Sequence, residues 1–377
     1  MTLPKSVPAL SGAAVVLLAL SACSSGQNTS ADGTAPITVS ATDTACEVAP
    51  TSVKAGNLTF EVTNKGTKVT EFYLYGEGDK IIGEVENIAP GLARKLTVAV
   101  PAAGTYQAAC KPGMAGDGIR VPLTVTGAAA QPAADSALTS AAKSYAGYVA
   151  TQAGTLKTET QKFADAVKAG RVDEAKARYA NTRVYYEHLE PVAEKFSDLD
   201  KAIDVREADV EQGKPFTGFH RLEKDLWATG LQPDSGRIAD QLVADVTTLT
   251  ERSATLGLTA LELANGAKEL LDEVATGKVT GEEEAFSHTD LWDFQANVDG
   301  SKGAIEALRP VLQARDPQLM STVDSQFANV QRLLDKQRNG DGFRYYTELS
   351  SDQIKELASA VDALGEPLSK VAEVVAR

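Results

Sequence analysis

A histidine and a glutamate three residues apart are the side chains in this sequence best suited to bind a metal. His220 is one of only three histidines in the 377 residues, and Glu223 follows it. On a helix, residues i and i+3 lie on the same face, so both side chains can reach one ion. Helical bundles that bind iron place a glutamate and a histidine at this spacing. A lone pair of this kind is also common by chance, so an ordinary helix face remains the alternative.

The residues that flank this pair carry a family resemblance. Gly218-Phe219 precedes the histidine and Leu226-Trp227 follows the glutamate. With these flanks the segment resembles the imelysin-like domain of bacterial iron-uptake proteins of the EfeO type. A second stretch, residues 287–298, resembles the same proteins. The resemblance implies an all-α domain that binds iron through His220 and Glu223.

Two pairs of short segments in the second half of the chain are similar to each other. Residues 186–192 align with residues 305–311, and residues 218–220 align with residues 342–344. The spacing between the partners is similar in the two pairs, which indicates an internal duplication. The predicted helical domain would then consist of two duplicated four-helix halves.

The differences between these aligned segments indicate further ligands. Glu190 corresponds to Arg309, and His220 corresponds to Arg344. Because arginine cannot bind a cation, only the first half would retain a metal site, and Glu190 would belong to it. Glu187 is the other candidate carboxylate. The alternative for both glutamates is a solvated helix face.

Iron is the expected ion, as Fe²⁺ or Fe³⁺. Fe³⁺ prefers carboxylate oxygens, whereas a histidine nitrogen also suits Fe²⁺ or Zn²⁺. Pro191 predicts a kink beside Glu190 that opens space for a ligand. Related domains carry an aspartate shortly after the motif, where this chain has Ala228-Thr229. Asp225 or Asp234 could replace it, and the sequence leaves that choice open.

Two other functions compete with iron binding. Imelysin-like domains have been grouped with metallopeptidases, which makes a metal-dependent peptidase one alternative. Zinc peptidases with a His-Glu-x-x-His motif use two histidines to bind the metal and the glutamate to activate water. The motif here contains one histidine, and no second one is near in the sequence, so we expect no enzyme activity. A non-catalytic envelope lipoprotein is the other alternative.

The N-terminus predicts export and a lipid anchor. Residues 7–20 form a mostly apolar stretch that is too short to span a bilayer, and residues 20–23 fit a lipobox. Removal of residues 1–22 would leave Cys23 as the acylated first residue and residues 23–36 as a flexible tether. The net charge of −14 argues against nucleic acid and favours cationic ligands. We therefore expect an extracytoplasmic protein that is attached to the cell membrane.

The hydrophobic pattern changes its period once along the mature chain. Within residues 37–126, short segments alternate apolar and polar residues between turn signals, which predicts a β-sandwich. Residues 127–135 are typical of a linker. Within residues 136–377, apolar residues recur at spacings of three and four, which predicts an all-α bundle. The predicted fold class is therefore multidomain, with an N-terminal β domain and a C-terminal α domain.

Cys46 and Cys110 are the cysteines that remain once Cys23 is acylated. Outside the cytoplasm two such cysteines usually pair. The strand that ends at Cys110 and the loop with Met114 resemble the end of a cupredoxin, in which this loop binds copper. A blue-copper centre also needs two histidines, and this domain has none. A second metal site for copper or zinc, formed by both cysteines, Met114 and Glu71, stays open beside a disulfide.

The resemblance covers nearly the whole mature chain, with the two domains in the expected order. It implies the extracytoplasmic iron-binding component of an Efe-type uptake system. Such a component captures ferrous or ferric iron and passes it to a membrane permease. A haem peroxidase of the dye-decolourising type is the other implied partner.

Overall fold

The computed structural model describes residues 35–128, 135–210, 212–276 and 278–377. The predicted signal peptide, the lipidation site at Cys23 and the tether up to residue 34 lie outside these ranges, as does most of the predicted linker. The described chain forms strands first and helices afterwards, as the change of hydrophobic period predicts. Each described helix is too short or too polar to cross a bilayer.

Nine strands make up the described N-terminal part. They are β1 (Ile37–Ala41), β2 (Cys46–Ala49), β3 (Ser52–Lys54), β4 (Gly56–Asn64), β5 (Thr70–Tyr75), β6 (Ile81–Ile88), β7 (Ala93–Val100), β8 (Gly104–Pro112) and β9 (Ile119–Thr126). One sheet has the order β2-β1-β4-β7 and the other the order β3-β9-β8-β5-β6. Strand β1 runs parallel to β4, whereas β5 runs antiparallel to both of its neighbours.

The core of this sandwich lies between the two sheets. Alternate residues of β4 point inward, and the rings of Phe60 and Phe72 meet across the core with centroids 5.2 Å apart. A disulfide joins Cys46 on β2 to Cys110 on β8, with their Cα atoms 5.5 Å apart. The expected proximity of the two cysteines is therefore confirmed. Of the two alternatives that the sequence left open, a disulfide and a metal-bound pair of thiolates, the structure has the disulfide.

Ten helices make up most of the described C-terminal part. They are α1 (Ser136–Lys168), α2 (Val172–Glu187), α3 (Ser197–Ile203), α4 (Gly218–Lys224), α5 (Ser235–Ser253), α6 (Ala260–Thr276), α7 (Asp290–Arg315), α8 (Pro317–Asp335), α9 (Ser351–Leu368) and α10 (Val371–Ala376). Short 3₁₀ helices include Glu190–Phe196 and Lys278–Thr280. The strands β10 (Arg338–Asn339) and β11 (Gly342–Phe343) are a small departure from an all-α domain.

The central helix α1 organises this domain. Its apolar residues recur every three or four positions, so one stripe that includes Tyr145, Val149 and Phe163 is buried. Asp135 caps its N-terminus by accepting a hydrogen bond from the backbone of Ala137 at 2.8 Å. Helices α2, α5 and α7 pack around α1. The ends of α2 and α3, the start of α4 and the loop before α7 position the site described below.

The predicted duplication is not supported at either pair of aligned segments. Residues 218–220 begin helix α4, whereas residues 342–343 form strand β11. Residues 186–192 span the end of α2 and a 3₁₀ helix, whereas residues 305–311 lie within α7. The predicted kink at Pro191 is also wrong, because α2 already ends at Glu187 and the proline lies in the first turn of the 3₁₀ helix.

The two domains touch through one edge strand of each sheet and two helices of the C-terminal domain. Strands β6 and β7 pack against α6, and β7 also contacts α10. The side-chain amide of Asn265 on α6 donates to the carbonyl oxygen of Thr97 on β7 at 2.9 Å. Lys95 and Glu373 form an exposed ion pair at 3.5 Å. This contact leaves a cleft on one side, which leads to the candidate site.

Candidate metal centre

The first residue of helix α4 packs directly against the backbone at the end of α3. This residue, Gly218, has a φ of +79°, and a Cβ at this position would overlap the carbonyl oxygen of Ile203. Only glycine allows both the left-handed conformation and this close approach. As a result, His220 on the first turn of α4 faces Asp204, the residue that follows α3.

The His220 imidazole is buried among carboxylates. Its Nδ1 lies 3.4 Å from Glu223 Oε2, so the predicted pair does share one face of the helix. Its Nε2 lies 3.5 Å from Asp204 Oδ1 and 3.6 Å from Glu283 Oε1. The side chain of His220 is 2% exposed, yet Nε2 has no hydrogen-bond partner. This nitrogen and the two carboxylates facing it are donor types that an iron site uses, and the same two carboxylate oxygens also bind Arg183, with Glu283 Oε1 at 3.4 Å from its Nη2.

Three overlapping sets of side chains in the described chain place ligand atoms within 4.8 Å of one another. The sets are Asp204, His220 and Glu283; His220, Glu223 and Glu284; and Glu187, Glu190 and Asp204. His220 connects the first set to the second, and Asp204 connects the first to the third. The carboxylates thus form one continuous cluster rather than three separate sites.

Arg183 on α2 is the cation that allows these carboxylates to fold together. Its side chain is fully buried, and its guanidinium bonds to Asp204 and Glu187. Its Nε lies 2.5 Å from Glu284 Oε1. Buried charges are tolerated only when opposite charges compensate for their desolvation, and Arg183 supplies part of that compensation.

Lys278 supplies a second buried cation, beside the two glutamates that the sequence predicted as further ligands. Its Nζ lies 2.8 Å from Glu187 Oε2 and 2.6 Å from Glu190 Oε2. The amide of Asn297 on α7 donates to the same two oxygens at 3.0 and 2.6 Å. Glu187 and Glu190 therefore do lie together, but around an ammonium and an amide instead of around His220.

The two aspartates considered as replacement ligands lie elsewhere. Asp225 bonds to Arg221 and accepts a hydrogen bond from Ser235 Oγ at 2.6 Å. Asp234 lies 3.1 Å from the same arginine. Both carboxylates are paired within a salt bridge, and neither belongs to a set with His220.

Asp204, Glu283 and Glu284 are cluster residues that the sequence pattern did not predict. Asp204 follows a short helix, and the two glutamates lie in a loop, so no helical spacing relates them to His220. The one sequence feature that could have indicated the two glutamates is the acidic run at residues 282–284. It comes shortly before residues 287–298, the stretch that resembles EfeO-type proteins.

The electrostatics of the cluster affect which groups carry protons. Burial and the charge of Arg183 lower the pKa of His220, but the surrounding carboxylates outweigh both and raise the pKa to about 9. Burial raises the pKa of Asp204 to about 6. Burial also raises the pKa of Glu283, but the charges of Lys278 and His220 outweigh burial and hold this pKa well below its usual range. At neutral pH a metal ion must therefore displace a proton from His220.

A cleft of about 790 Å³ between the two domains reaches this cluster. Of the side chains that line it, ten are acidic and three are basic. Glu84 and Glu86 on β6 contribute from the N-terminal domain, and Asp204, Glu283 and Glu190 contribute from the cluster. A cleft lined mainly by one sign of charge concentrates ions of the opposite sign, so this one attracts cations.

The second metal site considered for the N-terminal domain loses two of its four ligands. The sulfurs of Cys46 and Cys110 are bonded to each other, so neither can act as a thiolate ligand and that part of the hypothesis is wrong. Glu71 is buried on β5, where burial and then the charge of Glu86 raise its pKa. Met114 is exposed in the turn after β8. None of the three sets found among the described residues includes a residue of this domain.

Comparison with known proteins bears on both domains. The Imelysin family matches residues 141–371, and the cupredoxin-like domain family matches residues 12–125. The iron uptake system component EfeO of Escherichia coli K12 is 40% identical over 346 residues, which cover 90% of this chain and 91% of that protein. The chain belongs to the EfeO family. EfeO of Shigella flexneri shows the same identity and coverage.

Part of the fold of this EfeO-family chain also has a counterpart among solved structures. A candidate iron-regulated protein A precursor from Parabacteroides distasonis aligns with a TM-score of 0.51 at 15% identity. The alignment covers 64% of this chain and 97% of that one. At this identity the likeness concerns the fold alone. The predicted family and the predicted order of a cupredoxin-like and an imelysin-like domain are confirmed.

Proposed function

We propose that this chain is the extracytoplasmic iron-binding component of an Efe-type uptake system. Its helical domain captures Fe²⁺ or Fe³⁺ and passes the ion to a membrane permease. The observation that carries the proposal is the buried Nε2 of His220, which has no hydrogen-bond partner and faces the carboxylates of Asp204 and Glu283. The relatives named as iron uptake components support the choice of iron.

In this proposal His220 Nε2, Asp204 and Glu283 hold the ion. Glu223 contributes from the opposite edge of the imidazole, where its Oε2 faces Nδ1. Its other oxygen accepts hydrogen bonds from the backbone of Phe286 and Ser287, at 2.9 and 2.7 Å. A carboxylate that is held in this way orients a metal-bound histidine and increases its basicity.

The remaining features of the proposal concern location and partners. Cys23 is the proposed lipidated residue, and the lipid would hold the protein at the outer face of the membrane. A permease and a haem peroxidase of the dye-decolourising type are the proposed partners, because the relatives are named as one component of an uptake system. Peptidase activity is less well supported, since no set found among the described residues contains a second histidine.

Three variants of the full chain test the iron site. His220→Arg places a cation where the metal would lie and should abolish binding, whereas Glu223→Ala should weaken it by about tenfold or more, from the loss of a charged partner. Glu306→Ala is the matched control, because that glutamate is exposed and pairs with Arg309 at 2.6 Å. Anaerobic titration with Fe²⁺ measures the affinities. Equal affinities for His220→Arg and the parent protein would mean that the site is elsewhere.

A further inference from the structure

Two of the three carboxylate sets are adjacent and share one residue. Asp204 belongs both to the set with His220 and Glu283 and to the set with Glu187 and Glu190. A carboxylate has two oxygens and can bridge two cations, as in protein sites that hold pairs of metal ions about 4 Å apart. The two sets that meet at Asp204 therefore give two neighbouring positions for a cation, with Asp204 between them.

Two carboxylates of the second position, Glu187 and Glu190, already bind a cation that belongs to the chain. The ammonium of Lys278 lies 2.8 Å from Glu187 and 2.6 Å from Glu190, and it is 3.8 Å from Glu283. The Lys278 side chain is 1% exposed, so these carboxylates replace the water that would otherwise solvate it. Asn297 donates to the same two oxygens of Glu187 and Glu190. Their negative charge is thus satisfied without any metal.

We propose that Lys278 is a tethered cation that occupies the second of two adjacent cation positions and limits the helical domain to one iron ion. This inference rests on the proposed function, since it assumes that the first position binds iron. Because Glu190 lines the interdomain cleft, the second position is within reach of ions that enter there. An entering ion would have to displace the ammonium and leave it buried without its partners, which is strongly unfavourable.

His220 takes a different role from Glu187 and Glu190, although the sequence predicted all three as ligands of one site. His220, Asp204 and Glu283 hold the transported ion, while Glu187 and Glu190 hold the lysine. A site with one ion suits a protein that carries iron, since each ion is bound and released independently of a second. Lys278 is in this sense a residue that determines stoichiometry and not a ligand.

The test is to count ions bound to full-length variants of position 278. Anaerobic Fe²⁺ titration and elemental analysis should give one ion for the parent and two for Lys278→Met or Lys278→Gln, which remove the charge. Lys278→Arg keeps a cation and should bind one. Adding Glu190→Gln to Lys278→Met removes a ligand of the new position and should return the count to one. Circular dichroism of each variant shows whether it folds.

Several outcomes would overturn this inference without touching the proposed function. If folded Lys278→Met bound one ion with an affinity equal to that of the parent, the lysine would not be what prevents a second ion from binding. A second ion bound by the parent at raised Fe²⁺ concentration would show the same, and this measurement needs no variant to fold. By contrast, a parent protein that binds no iron, or binds it equally well after His220→Arg, contradicts the proposed function itself.

Discussion

At the scale of single residues, the site depends on charges that are buried together. His220 lies between carboxylates that raise its pKa to about 9, above the ordinary value of 6.5, even though burial acts in the opposite direction. In the metal-free protein the protonated imidazole helps Arg183 and Lys278 to neutralise the cluster. A metal ion at Nε2 replaces the proton with another positive charge, so binding exchanges one cation for another.

This exchange predicts a pH dependence of iron affinity. Because the pKa of His220 is raised, the imidazole is protonated below pH 9, and each bound Fe²⁺ must release that proton. The apparent affinity should fall about tenfold for each pH unit below 9, and more steeply below pH 6, where Asp204 also gains a proton. Anaerobic titrations in buffers of different ionisation enthalpy measure both the affinity and the released protons. An affinity that does not change over this range would contradict the assignment of His220.

Asp204 can be tested against an aspartate in the same cleft. Asp204→Asn removes a charged ligand and should weaken Fe²⁺ binding by about tenfold or more, since charged partners contribute more than neutral ones. Asp198→Asn makes the same chemical change at a residue that also lines the cleft but pairs with Arg252 at 2.7 Å and is 63% exposed. The second variant should bind iron within about twofold of the parent, because exposed charges are screened. Similar losses in both would assign the effect to the general acidity of the cleft.

At the scale of elements, the position of one short helix determines the site. Helix α4 has seven residues, which is too few to be stable alone, so its place depends on packing against α3 and α5. Gly218 allows the contact with the backbone of Ile203. The histidine therefore faces Asp204 because a glycine, two residues earlier, permits the two helices to meet.

Gly218→Ala should consequently affect both stability and iron binding. The left-handed conformation costs an alanine about 1–2 kcal/mol, and the overlap with Ile203 adds to this by forcing α4 away from α3. Urea unfolding should show the loss of stability, and Fe²⁺ titration should show weaker binding. Gly147→Ala is the control, because Gly147 lies in the exposed part of α1 with no atom near its Cβ position. That change should stabilise the helix by up to about 1 kcal/mol, and equal behaviour of the two variants would refute the role of Gly218.

At the scale of the whole molecule, the two domains together create the acidic entrance. Glu84 and Glu86 on β6 line the same cleft as Asp204 and Glu283 of the helical domain. No ligand set found in the described chain includes a residue of the N-terminal domain. The sandwich should therefore influence how fast cations arrive more than how tightly they are held.

A double change, Glu84→Gln with Glu86→Gln, tests this division of roles. Association of Fe²⁺ in stopped-flow experiments should slow by about two- to fivefold at low ionic strength, while the dissociation rate stays the same. The effect should shrink in about 0.5 M salt, which screens the field of the cleft. Glu47→Gln with Glu61→Gln removes the same charge from residues outside the cleft and should leave both rates unchanged. A faster dissociation in the first variant would instead indicate that these glutamates hold the ion.

The sequence by itself determined the two domains, their order, and the pair His220 and Glu223. These features are local: the period of apolar residues follows from strand or helix geometry, and residues i and i+3 share a helix face wherever that helix lies. The tertiary structure decided that Asp204 and Glu283 join His220, and that Glu187 and Glu190 bind Lys278 instead. Those contacts form between chain segments that are far apart in sequence and partly irregular in structure. No regular residue spacing along the sequence therefore predicts them. Which buried carboxylate meets a metal and which meets a lysine depends on where the folded chain brings each charge.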